Sequence, residues 1–140
     1  MRTVRDDDGR TFLLVKQSSE SSLVRDPETG SERYLPNDAL TVDDEASPLV
    51  TAAGAVPASV RRLLTATPDE QALGLLVELA DRGPLAVRTL LEAYDLCESD
   101  LHGLLAECRA AGLIAEARVA GERGYDATET TREAVSLLRE

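Results

Sequence analysis

The apolar side chains Leu101, Leu104, Leu105 and Cys108 recur at i, i+3, i+4 and i+7. That spacing gathers them on one stripe of a helix, so one face is buried and the other is offered to solvent. Upstream, Pro84 to Tyr94 has the pattern of a second short amphipathic helix, with proline where a missing N–H costs nothing. Only Asp95-Leu96-Cys97 separates the two, which forces a sharp corner of the helix-turn-helix kind. Gly112 is placed to close the later helix, Leu113 to Val119 reads as a strand, Ala120-Gly121-Glu122-Arg123-Gly124 as a turn, and Tyr125-Asp126-Ala127 as the returning strand. Thr128 is placed to cap a last helix carrying Ala134, Val135, Leu137 and Leu138. Before all of these, Thr67-Pro68-Asp69-Glu70 is a helix start that leads through Leu73, Leu76, Val77 and Ala80 to Gly83. Pro57 opens another helix, with Val60, Leu63 and Leu64 on one side and Arg61 and Arg62 on the other.

The first 42 residues follow a different pattern. Arg2 to Arg5 and Arg10 to Lys16 flank the turn Asp6-Asp7-Asp8-Gly9, and Ser22 to Arg25 and Ser31 to Leu35 flank Asp26-Pro27-Glu28-Thr29-Gly30. Turn chemistry on both sides of β-prone runs predicts two hairpins, hence a four-stranded antiparallel β meander ended by Pro36. Its apolar inventory is thin, and a sheet so small needs something to pack against. Asp43-Asp44-Glu45-Ala46-Ser47 reads as a solvated linker, and Leu49 to Val56 as a turn or two of helix. The expected organisation is therefore 1–42 β meander, 43–65 linker with short helices, and 66–140 helix-turn-helix with a two-stranded wing. The fold class is α+β.

Charge changes the picture. Twenty-six acidic residues against fifteen basic ones give −11, and of the fifteen only Lys16 is lysine. Acid excess with little lysine and few aromatics resembles the proteins of organisms that hold molar salt in their cytoplasm. An acidic surface ordinarily argues against nucleic acid. In molar salt the Debye length falls to about 3 Å, so net charge alone does not exclude DNA. No apolar run approaches the roughly 18 residues of a membrane span and the N-terminus is polar, so the expectation is a cytoplasmic protein with no membrane partner.

The run Cys108-Arg109-Ala110-Ala111-Gly112-Leu113-Ile114, followed by Gly124-Tyr125-Asp126-Ala127-Thr128-Glu129, resembles the ending of MarR-, PadR- and ArsR-type winged-helix regulators. The resemblance covers residues 66–140. Two positions depart from it: Ala127 stands where those families usually carry leucine, and Thr130-Thr131 replace their Lys-Gly. It implies a winged helix-turn-helix, a fold that serves both DNA-binding transcriptional regulators and protein-docking modules.

In a DNA-reading protein of this kind the outward face of the second motif helix enters the major groove and the wing reaches the backbone or minor groove. The candidate contacts are Arg88, Ser99, His102, Arg109, Arg118 and Arg123. Ser99, with Glu98 and Asp100, also suits capping of the helix. Arg123, between Gly121 and Gly124 at the expected wing tip, is the leading phosphate or groove contact, set against an ordinary solvated turn arginine.

Cys97 and Cys108 lie about 16 Å apart along a helix axis, too far to pair within one chain. With His102 they do not make the four convergent ligands of a zinc site, so no metal and no cofactor is expected. No phosphate loop, nucleophile elbow or ligand-spaced histidine pair points to an enzyme. Double-stranded DNA is the leading partner. A homodimer through 129–139 and a protein partner on the β meander are the others.

Overall fold

Short strands joined by Asp- and Gly-containing turns build the first part of the computed structural model, which describes residues 1–140 and divides into unit 1, residues 1–57, and unit 2, residues 58–140. The class is α+β, as expected.

Unit 1 holds β1 (Arg2–Arg5), β2 (Thr11–Gln17), β3 (Ser21–Arg25) and β4 (Glu32–Pro36), the four strands of the meander. Gly9 takes φ +81° in the first turn, where the Asp6 carboxylate accepts from the backbone N–H of Asp8 and Arg10 at 3.0 and 2.9 Å. The sheet gains a strand the pattern did not predict. After a 3-10 turn at Asn37–Ala39, β5 (Thr41–Asp43) returns to pair with β1, giving the order β4-β3-β2-β1-β5. The register Val4↔Val42 lets Val42 cover the cluster of Val4, Phe12, Leu14 and Val24, with Leu35 and Leu40 beside it. The expected linker therefore contributes to the sheet at its start. Its next stretch, α1 (Pro48–Ala53), capped by the Ser47 hydroxyl, belongs to unit 1 and packs on β1 and β2. There Thr51 Oγ1 and Thr3 Oγ1 share a 2.8 Å hydrogen bond, which satisfies a Thr3 side chain that is fully buried.

Unit 2 contains α2 (Ala58–Ala66), α3 (Glu70–Arg82), β6 (Leu85–Ala86), α4 (Val87–Ala93), α5 (Glu98–Ala110), β7 (Ile114–Val119), β8 (Glu122–Ala127) and α6 (Glu129–Leu138). It is a winged helix-turn-helix. The buried stripe of α3 is Ala72, Leu75, Leu76 and Leu79, which leaves Leu73, Val77 and Ala80 half-buried at its margins. Its cap is Asp69, whose carboxylate accepts from Ala72 N at 2.8 Å. Thr67 does something else: its hydroxyl donates to Leu63 O and finishes α2. On α2, Val60 and Leu63 are buried but Leu64 is 58% exposed. Thr128 sits at the N-cap of α6 without capping by its side chain, because its hydroxyl donates to Gly112 O and Leu113 O instead.

The expected helix from Pro84 begins only at Val87. Leu85 and Ala86 pair with β8 and make the wing a three-stranded sheet, order β6-β8-β7. Gly124 permits this, since a Cβ there would lie 2.5 Å from Leu85 O. The wing turn is also tighter than expected. It is the two-residue loop Ala120-Gly121, both at positive φ (51° and 81°), and Glu122, Arg123 and Gly124 are strand residues. Positive φ at both loop positions matches the right-handed twist of the strands it joins.

Candidate nucleic-acid interface

The helix pair sets the platform. Leu101, Leu105 and Cys108 of α5 are buried at 0–1% exposure, and burying each such leucine contributes roughly 1.5–3 kcal/mol. Burial pushes the Cys108 thiol up, helped by the neighbouring Glu107 charge. Gly112, at φ +75°, terminates α5 as its sequence position suggested. At the other end the cap is not Ser99, Glu98 or Asp100 but Cys97, whose sulfur accepts from Asp100 N at 3.4 Å. Sulfur is a weak acceptor. Ser99 stays exposed, with its hydroxyl 3.5 Å from the Cys97 sulfur.

The outward face of α5 and one face of the wing bring three of the six candidates together. His102, Arg109 and Arg123 line one shallow concavity, floored by Ala106 and Ala110 and walled by Tyr125. Arg123 is not at the wing tip. It lies in β8, directly opposite Arg118 in β7, with Tyr125 opposite Glu116 on the same face. Like charges facing each other across strands are destabilising, so something must relieve the pair.

Glu116 provides that relief. Its carboxylate accepts from Arg109 at 3.0 Å and from Arg123 at 3.3 Å, so one acid serves two guanidiniums from different elements. Arg123 also donates to the Tyr125 hydroxyl at 2.9 Å and lies 5.8 Å from that ring's centre. The hydrogen bond to Tyr125 is the main reason its pKa is raised further, with Glu116 adding to it. Arg118 has no carboxylate partner and donates to Gly121 O of its own turn at 3.3 Å.

Arg88, on α4, is engaged with Glu122 at 2.5 Å, outside the concavity. His102 has Glu98 at 3.6 Å, one turn back on α5. Glu116 and Tyr125 were not among the sequence candidates. Alternation along β7 and β8 would have put them on the arginine face, but only once the turn was shortened to Ala120-Gly121. The arrangement is a set of exposed guanidinium donors held at fixed spacing across a helix and a hairpin. Chemically it can receive a polyanion.

The family model described as a family of unknown function, DUF7346, matches residues 1–139. No curated protein matches the chain. Among solved structures, the crystal structure of a transcriptional regulator, HlyU from Vibrio vulnificus CMCP6, is 29% identical, with a TM-score of 0.50. The likeness covers 59% of this chain and 85% of that one. No helix is long and apolar enough to cross a membrane.

Proposed function

We propose that this chain, which belongs to the family of unknown function DUF7346, is a cytoplasmic DNA-binding transcriptional regulator rather than an enzyme. In this reading α4 and α5 dock on the duplex, Ser99 and His102 face the major groove, and Arg88, Arg109, Arg118 and Arg123 take phosphates. The likeness to the regulator HlyU supports the class. The observation that carries it to this face is the shortage of carboxylates there: Arg109 and Arg123 share Glu116, and Arg118 has no carboxylate. Exposed ion pairs are weak, so a phosphate can replace Glu116 at little cost. The helix at 129–139 is the proposed homodimer surface, since regulators read two-fold sites as dimers. Leu137 and Leu138 remain 38% and 49% exposed there.

The test is crosslinking of the tagged protein in cells followed by sequencing of the attached DNA, together with the double variant Arg118→Glu, Arg123→Glu. Discrete sites sharing a short motif are expected. The double variant should lose at least about tenfold in affinity for such a site with an unchanged circular dichroism spectrum, because each lost phosphate contact lowers the salt slope by about one. A sequencing profile equal to that of an untagged control overturns the reading.

A second reading has one observation in its favour. Residues 85 to 127 carry four arginines against eight carboxylates, a balance better suited to a protein partner than to a duplex. In that case the chain is a winged-helix interaction module, with the β meander as the other docking surface.

A further inference from the structure

Within unit 2, a groove runs between α3 and the corner that joins α4 to α5. Its inner half, about 290 Å³, is lined by Gln71, Gly74, Leu75, Glu78, Tyr94 and Leu96. Gln71 and Leu96 also line its outer half, which continues to Asp100, Gly103, Leu104 and Glu107. The volume is near the lower end for small-molecule sites, enough for one ring.

Two glycines mark this groove. Gly74 lies in the middle of α3 and Gly103 in the middle of α5, and neither has a positive φ. A Cβ at either position would meet nothing within 4 Å. Glycine inside a helix costs stability relative to alanine, and no turn or close approach requires it at these two places. What the missing side chains leave is open space above the groove floor.

The lining defines the chemistry of an occupant. Leu75 and Leu96 form an apolar floor, and the Tyr94 ring, 37% exposed, stands beside them. No lysine or arginine lines either half. Glu78 is bound to Arg82 on its own helix, while Asp100 and Glu107 make no ion pair. Carboxylates and an aromatic face around an apolar floor favour a cation with an apolar body.

We propose that this groove binds a small organic ammonium ion, its ring or chain on Leu75 and Leu96 and its charge beside Tyr94 and Glu78, where it takes the place of Arg82 in an exposed, weak ion pair. Tyr94 and Leu96 flank Asp95, the corner residue held at φ +53°, so an occupant wedges against the start of α5. That makes it an effector site for the helix proposed to dock on DNA. This regulatory consequence rests on the preceding reading, whereas binding does not.

The test titrates the full chain, without DNA, with benzyltrimethylammonium, benzyl alcohol and benzoate, by calorimetry and amide NMR. Saturable one-to-one binding of the ammonium ion is expected, with the alcohol about tenfold weaker and shifts centred on Gly74, Tyr94 and Leu96. Gly74→Leu should fill the inner half and abolish binding while the melting temperature holds or rises. Glu78→Gln should narrow the preference for the ammonium ion over the alcohol, and it gives a second readout if the leucine variant folds poorly. Absence of saturable binding, benzoate binding as well as the ammonium ion, or wild-type affinity in Gly74→Leu would each overturn the site. A chain that binds the ammonium ion but no duplex retains the site and loses only the regulator reading.

Discussion

The arginines of unit 1 and those of the wing are held in opposite ways. In the N-terminal sheet Arg2, Arg5, Arg10 and Arg25 each have a carboxylate of their own: Asp44, Asp43, Asp26 and Glu32. Arg10 and Arg33 also lie over Phe12, 5.6 and 5.4 Å from its ring centre. The guanidiniums of Arg2, Arg5, Arg10 and Arg25 are matched one to one with acids. On the wing face Arg109 and Arg123 divide a single Glu116 and Arg118 has only a carbonyl, although the chain as a whole carries −11. Local arrangement, not net charge, decides where a polyanion can be received. An acidic protein need only withhold acids from one face.

The most damaging way to break this contrast is to remove what holds α5 against the wing. Leu105→Ala, at a side chain 1% exposed, should cost about 2–5 kcal/mol in urea unfolding, because the cavity cannot fully collapse. Loss below about 0.5 kcal/mol, the usual range for a surface site, would mean that α5 is not anchored by this stripe. A finer test acts on the shared acid. Glu116→Gln should raise affinity for duplex DNA and steepen its salt dependence by about one contact per freed cation, whereas Asp43→Asn should leave DNA affinity unchanged. Equal responses would erase the difference between the two regions. The smallest effect concerns the hairpin that puts Arg118 opposite Arg123. Ala120 sits at φ +51°, a region that asparagine tolerates better, so Ala120→Asn should stabilise unit 2 by about 0.5–1 kcal/mol in thermal unfolding.

Much of unit 2 was legible because its signals are periodic and long. The α5 stripe, the Gly112 stop and the wing strands all follow from spacing that repeats over several residues. What escaped was short or relational. Leu85–Ala86 and Thr41–Asp43 hold two and three residues, too few for any period to register, and both are strands only because an existing edge accepts them. The glycines that flank Arg123 suggest a turn, but Gly124 serves the close approach of β6 rather than a reversal. Glu116 lies seven residues from each of Arg109 and Arg123, and the hairpin register brings Arg123 to it while the packing of α5 against β7 brings Arg109. Oxygen-bearing Ser99 and Asp100 are better cap formers than Cys97, yet the backbone turns into helix at Glu98 and leaves Cys97 at the cap. Of the six candidate contacts, then, sequence reasoning identified residue types suited to a polyanion and structure grouped His102, Arg109 and Arg123.

β5 has a consequence for how the chain is made. Because β1 lies between β2 and β5, the earliest strand of this sheet is an interior strand, and it has no second neighbour until residue 43 has left the ribosome. From that point every hydrogen-bonded partner of the N-terminal sheet is present, and Thr51 follows within ten residues to close over Thr3. Domains generally fold as units during synthesis, the N-terminal one first. Every strand that the N-terminal sheet needs therefore precedes α5 in the order of synthesis.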